Sequence, residues 1–245
     1  TDVDRLNRLM DAVWRHDLDD QPESATYFGV PGGHDRWTDH SLAAHERRRS
    51  DASAPLDALK AIDSTRLDAE SALNLELFRR VAEMRAEAAR FPQHLLAVSQ
   101  MGGPQQRVAS TLAMMPTAPE EQRAQVMSRL AGVADLVDQT VELLRAGLDQ
   151  GVTQPAVVMT GVPGQVAALL TAADRSPLLE PFAGALGPDA EAVIDKLVNP
   201  AFDRLHRFLV DEYLPAARAD IACAALPDGV EWYRHLVARH TTTAL

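Results

Sequence analysis

The sequence predicts an all-α protein, an irregular multi-helix bundle, on three observations. Apolar residues make up 46% of the chain but aromatics only 5%, with Ala and Leu prominent, a mixture that favours helices packed on helices over a strand-rich core. Apolar residues recur at three- and four-residue steps through long stretches, the spacing that lines one face of a helix. Helix-start signals stand ahead of several of those runs. The 245 residues suffice for one large domain or two lobes. Arg175-Ser176-Pro177, Glu180-Pro181 and Gly187-Pro188 punctuate a connector, so the candidate division is an N-terminal lobe of 1–175 and a second, 176–245.

In chain order, Thr1 or Asp2 caps a first helix whose stripe is Val3, Leu6, Met10, Val13 and Trp14, ending before Gln21-Pro22. The segment from Pro22 to Asp39 is turn-rich, with Pro31-Gly32-Gly33 and Trp37. His34, His40, His45 and Glu46 crowd together there, but two helical metal ligands normally stand three or four apart. Five apart on one helix puts His40 and His45 about 140° apart in azimuth. They read as solvated or capping histidines, with Asp39 as the cap. A second helix is predicted from about His40 to Ile62, broken near Ala54-Pro55, and its Glu46-Arg47-Arg48-Arg49 run is a charged outer face. A third follows from Thr65 to Phe91, with Leu67, Leu73, Leu77, Val81 and Met84 as its core stripe.

Phe91-Pro92 closes that helix, and Gly102-Gly103-Pro104 turns into another from Gln105 to Met114. Lacking a following Lys-Ser/Thr, the glycine pair is a weak phosphate signal. Met101, Met114 and Met115 read as gap fillers between helices. Thr117 caps the next helix, with Pro119 and Glu120 in its first turn; it runs to Leu144 with a break near Gly132, and Gly147 to Gly151 ends it. The uncharged run Gly151 to Ala173 holds too many prolines, glycines and glutamines to span a membrane and reads as a buried loop and short helix, Val166, Leu169 and Leu170 inward. The longest pattern begins at Asp189: Val193, Leu197, Ala201, Leu205 and Leu209 recur at four-residue steps beside Ile194, Val198, Phe202 and Phe208. Pro200 should kink that helix or restart it with Asn199 as cap.

Composition narrows function. A net charge of −11, from 35 acids against 24 bases, argues against nucleic-acid binding. The single Cys223 excludes an intrachain disulfide framework and reads as a small apolar residue. The chain opens with Thr1-Asp2-Val3-Asp4, without a basic start and apolar run, so a soluble, cytoplasmic protein is the expectation; a Thr start reads as a trimmed chain. No Gly-x-Ser-x-Gly elbow and no glycine-rich dinucleotide loop occurs.

The last third carries distinctive wording: Asn199-Pro200-Ala201-Phe202, Phe208-Leu209-x-x-Glu212-Tyr213-Leu214-Pro215-x-x-Arg218, Leu226-Pro227-Asp228-Gly229, Tyr233 and His240-Thr241-Thr242-Thr243. Ala25-Thr26-x-x-Gly29, Thr38-Asp39-x-Ser41, Gly102-Gly103 and Gly147-x-x-x-Gly151-Val152-x-x-Pro155 precede it in order. This resembles the bacterial family called domain of unknown function 885, long helical proteins resembling zinc metallopeptidases. The resemblance implies the fold of the N-terminal half of such a protein. It also implies peptide hydrolysis in the intact molecule, zinc polarising the carbonyl and activating water with a glutamate as base.

The family's zinc site resembles His-Glu-x-x-Pro-Gly-His-His, and no such sequence occurs here, so no catalytic residue or metal ligand is assigned to this chain. Zinc is expected only in the intact protein. The expected role is a non-catalytic region shaping the substrate channel, with a missing C-terminal catalytic half as partner and peptides as substrates. Tyr233, His235, Arg239 and His240 are the substrate-channel candidates, against the plainer reading of an amphipathic last helix docked through Trp232, Leu236 and Val237. Thr241 to Thr243 read as the lead-in to a further helix, with a larger domain continuing after Ala244-Leu245. Ala222-Cys223-Ala224 departs from a glycine-containing turn expected after Arg218. The alternative is a stand-alone helical binding or scaffold protein without enzymatic activity. Apolar surface left uncovered along Asp189 to Arg218 would favour the first reading, and its absence the second.

Overall fold

The computed structural model describes residues 1–182 and 184–243, so the continuation expected after Ala244-Leu245 falls outside the described residues. These residues form an irregular multi-helix bundle. The helices are α1 (Asp2–Asp20), α2 (Pro22–Phe28), α3 (Leu42–Asp51), α4 (Ala54–Leu59), α5 (Ala69–Ala88), α6 (Pro104–Ala113) and α7 (Glu120–Ala131). There follow α8 (Val133–Asp149), α9 (Ala156–Met159), α10 (Val162–Ala167), α11 (Pro188–Val193), α12 (Asn199–Phe208), α13 (Leu214–Ala216) and α14 (Gly229–Thr241). Among the described residues there is no strand beyond isolated bridges, and no helix is long and apolar enough to cross a membrane.

At the N-terminal end α1 packs against α2, α4 and α5 around Leu6, Leu59, Ile62 and Leu75. Thr1 caps α1 as expected, its hydroxyl accepting from the Asp4 amide while the Asp4 carboxylate accepts from the Thr1 amine. The stripe on α5 needs correcting. Leu73, Leu77 and Val81 are 59%, 57% and 44% exposed, whereas Leu75 and Ala82 are buried and Phe78 packs beside them. The helix carries apolar residues on two faces, and α1 and α4 cover only one. Trp14 likewise points outward and packs on Phe28, ring centroids 5.3 Å apart, instead of entering the core.

The main core draws on α6, α7, α8, α10 and the long helix from α11 to α13, and contains residues from Val98 to Tyr213. That long helix runs through two π-helical turns, Ile194–Val198 and Leu209–Tyr213, which join α11 to α12 and α12 to α13. Each π-helical turn is followed by a proline, Pro200 or Pro215. A widened turn accommodates a residue that has no N–H and whose ring crowds the preceding turn, so the helix neither stops nor restarts. Asn199 is no cap; its Nδ2 donates to the Thr171 carbonyl at 2.9 Å. The face turned inward is Ile194, Val198, Ala201, Phe202, Leu205, Phe208 and Leu209, each at most 4% exposed. It packs on α8 and α10. Of the expected stripe, Leu197 is 40% exposed.

Two stretches of the family-like wording meet in space. The Tyr213 hydroxyl accepts from the Gln154 amide at 2.9 Å, the Arg218 carbonyl accepts from the Ala156 amide at 2.8 Å, and Arg218 Nε donates to the Thr153 carbonyl at 2.8 Å. Arg218 Nη1 also donates to the Ala222 carbonyl at 3.0 Å, which fixes the turn that lacks the expected glycine. Beyond it, a Cβ on Gly229 would lie 2.0 Å from the Cys223 carbonyl oxygen, so only glycine allows α14 to start there. Half-buried Cys223 borders a smaller core in which Trp232 stacks on Phe91 beside Leu95, Leu143, Val152 and Leu226.

Helix starts shift elsewhere. Thr117 does not cap α7, which begins at Glu120 after Pro119; the Thr117 carbonyl instead accepts from Arg123 Nη1 at 3.1 Å. Of the three methionines read as gap fillers, Met115 is buried, but Met101 is 88% exposed and Met114 is 44% exposed.

Candidate functional site

The site is organised by a buried arginine. Arg129 on α7 is fully buried, and burial lowers its pKa from the usual guanidinium value. Its nitrogens donate to the carbonyls of Gly33 at 2.9 Å and Arg36 at 2.9 and 3.1 Å, and to the Thr26 hydroxyl at 2.7 Å. The guanidinium also lies 5.2 Å from the Trp37 ring, whose Nε1 donates back to the Arg129 carbonyl at 2.6 Å. The turn-rich segment between α2 and α3 is therefore wrapped around one side chain. Gly29, left-handed at φ 66°, ends α2 and lets the chain turn into it.

The same segment is pinned at its far end. Thr38 donates from its amide and hydroxyl to the Glu23 carboxylate, at 3.2 and 2.5 Å, and the His40 amide donates to Gln139 Oε1 at 2.7 Å. Ser41, not Asp39, caps α3: its hydroxyl accepts from the Ala44 amide at 3.2 Å, while Asp39 accepts from the Ser41 amide. His40 thus stands before the helix, and the azimuth that separated it from His45 does not apply. The two rings stack at 5.8 Å, and His45 stacks on His94 at 4.5 Å.

Arg107, from α6, closes the group, its Nη1 lying 2.7 Å from His40 Nε2. A guanidinium only donates, so Nε2 accepts and neutral His40 carries its proton on Nδ1. Burial foremost, then Arg107 and Arg48, pushes the His40 pKa down to about 4; burial foremost, then His94, does the same for His45. Burial lowers His94 as well. These rings are neutral near pH 7 and can offer both a donor and an acceptor. The reading of His40 and His45 as solvated side chains is thereby corrected: the tertiary packing of α3, α6 and the turn at His94 leaves both rings half-buried.

Two adjoining cavities meet at His40, His45 and Arg107. The inner, about 220 Å³, runs past His94 to Thr140 and Leu143 on α8. The outer, about 510 Å³, opens past Glu23, Tyr27, Phe28 and Met114. Tyr27, Phe28 and Trp14 form an aromatic group at 70%, 56% and 45% exposure. Among the described residues, no group of three or more His, Cys, Asp or Glu is placed to hold a metal ion, so they do not fit a zinc site.

None of the four residues singled out on α14 lines either cavity. Tyr233 is 53% exposed, Arg239 and His240 are exposed, and His235 packs on Phe91 at 5.3 Å with Nε2 buried and without a partner. Burial lowers the His235 pKa. The cavity residues were legible only in part: Ser41 after Asp39-His40 is a cap signal that takes His40 off the helix, but nothing local joins Arg107 or His94 to it.

A family model described as "Bacterial protein of unknown function (DUF885)" matches residues 22–245. No curated protein matches the chain. Among solved structures, the crystal structure of a protein described as a presumed lipoprotein from Colwellia psychrerythraea superposes with a TM-score of 0.89 at 16% identity, covering 100% of this chain and 47% of that one. The likeness is one of fold, and this chain spans less than half of that protein's length.

Proposed function

The chain belongs to this bacterial family of unknown function, and from that premise we propose that it is the non-catalytic N-terminal helical region of a longer protein resembling the zinc metallopeptidases, in which it shapes the substrate channel. The observation that carries the reading is the pair of cavities meeting at His40, His45 and Arg107. They offer space, hydrogen-bonding groups and an apolar mouth, which suits holding a ligand. Bond cleavage requires a nucleophile set against a base, or a metal. Zinc, in this reading, belongs to the remainder of the longer protein, and no step is routed through it here. The exposed Tyr233, Arg239 and His240 on α14 would form another part of the channel wall.

The test is direct. The 245-residue chain, incubated with short unstructured peptides and zinc, is expected to leave them intact and to retain no stoichiometric metal after dialysis. Chelator-sensitive cleavage by this chain alone would overturn the proposal.

One observation favours a second reading, a stand-alone helical binding protein. Along Asp189 to Arg218 the large apolar side chains are covered within the chain, apart from Leu197 at 40% and Val210 at 42% exposure. Mixing the chain with the separately expressed remainder of the longer protein discriminates between the two: a stable complex supports the channel reading, and its absence at micromolar concentration supports the other.

A further inference from the structure

We propose that the paired cavity at His40, His45 and Arg107 binds the carboxylate of a small ligand whose aromatic or aliphatic body lies on Tyr27 and Phe28. The inference starts from charge. Among the described residues no carboxylate pairs with Arg107, whose one side-chain bond goes to a neutral imidazole and leaves four N–H donors unspent. The neighbouring charges are already committed. Arg48 makes a two-pronged pair with Asp20 at 2.7 and 2.9 Å. Glu23 is held by the Thr38 amide and hydroxyl, and its charge faces buried Arg129. The uncompensated charge at the junction of the cavities is therefore positive, on a planar fork that matches a carboxylate.

A second observation points the same way. His45 Nε2 is buried and has no hydrogen-bond partner, although it lies on a side chain that lines both cavities. A buried polar atom left unpaired costs free energy, and a ligand oxygen at the junction would relieve it. The His45 ring can present Nε2–H as a donor, alongside the free Arg107 donors. The outer cavity then widens toward Tyr27 and Phe28, which expose 70% and 56% of their surface and stand edge to face at 5.2 Å, an apolar wall open to a ligand's body. The donors define one end of the ligand and the rings the other. Because this concerns binding alone, it holds whether or not the longer protein cleaves peptides.

Calorimetric titration with N-acetyl-L-phenylalanine and with its amide tests the proposal, since the two probes differ only in the carboxylate. The acid is expected to bind at least tenfold more tightly. Arg107→Gln should abolish that preference, and Arg107→Lys, which keeps the charge but not the fork, should retain part of it. Circular dichroism checks that both variants fold, and the comparison in the unaltered protein stands without them. Two further probes separate sources of the carboxylate. Tighter binding of Ala-Ala-Phe than of 3-phenylpropionate identifies a peptide C-terminus, and the reverse identifies a free organic acid; either outcome supports the site. Equal affinity for acid and amide, no binding of either, or an undiminished preference in folded Arg107→Gln overturns it.

Discussion

Neutral imidazoles inside the cavity make the protein sensitive to acid in a defined window. His40 is faced by Arg107, Arg48, Asp39 and Asp20, and His45 by His94, Arg48, His40 and Asp20. Both have folded pKa values of about 4, against about 6.5 in an unfolded chain. Between those values the unfolded state binds more protons, so stability rises with pH there, is fully present above about 6.5 and is lost as pH falls toward 4. After discounting for partial exposure, each ring should change the folding equilibrium on the order of tenfold between pH 7.5 and pH 5. Replacing both by Gln should flatten this acid limb. Urea denaturation at the two pH values checks it, and an unchanged loss on acidification would show that other groups set the limb.

At the scale of one element, α5 has apolar residues on two sides, of which the bundle covers one. Leu75 lies in the N-terminal core at 3% exposure, while Leu77, two positions on, is 57% exposed. Leu75→Ala is expected to cost about 2–5 kcal/mol, since it removes packed methyl groups and leaves a cavity. Leu77→Ala should cost less than about 0.5 kcal/mol, as at most surface positions. Denaturation midpoints of the two variants decide it. Equal losses would mean that the outer face of α5 is covered in solution.

Across the whole molecule, Arg129 joins parts of the chain that the sequence keeps far apart. It reaches Gly33 and Thr26 over separations of 96 and 103 positions, and through them holds the segment that delivers His40 to Arg107. Arg129→Met would fill much of the volume but remove the charged donor from the Gly33 and Arg36 carbonyls and the Thr26 hydroxyl, at about 1.5–3 kcal/mol for each such bond, and would leave the Arg36 carbonyl with no donor. The expected loss is about 3 kcal/mol or more. Amide hydrogen exchange should accelerate in residues 29–38 before it does in α8. Uniform protection in the variant would show that the segment does not depend on this side chain.

The all-helical class, the cap at Thr1, the break near Gly132 and the inward Trp232 were legible because each follows from neighbours within a turn or two of chain. Spacing also located the helix α5, yet it named Leu73, Leu77 and Val81 as the buried side, because periodicity is a property of one helix while burial belongs to the pair that meets. For the same reason the histidine, arginine and aromatic groups of the cavity had no common signal in the sequence. His40, His94 and Arg107 come from separate segments, and only the packing of α6 and α8 against the segment clamped by Arg129 brings them within hydrogen-bonding and stacking distance.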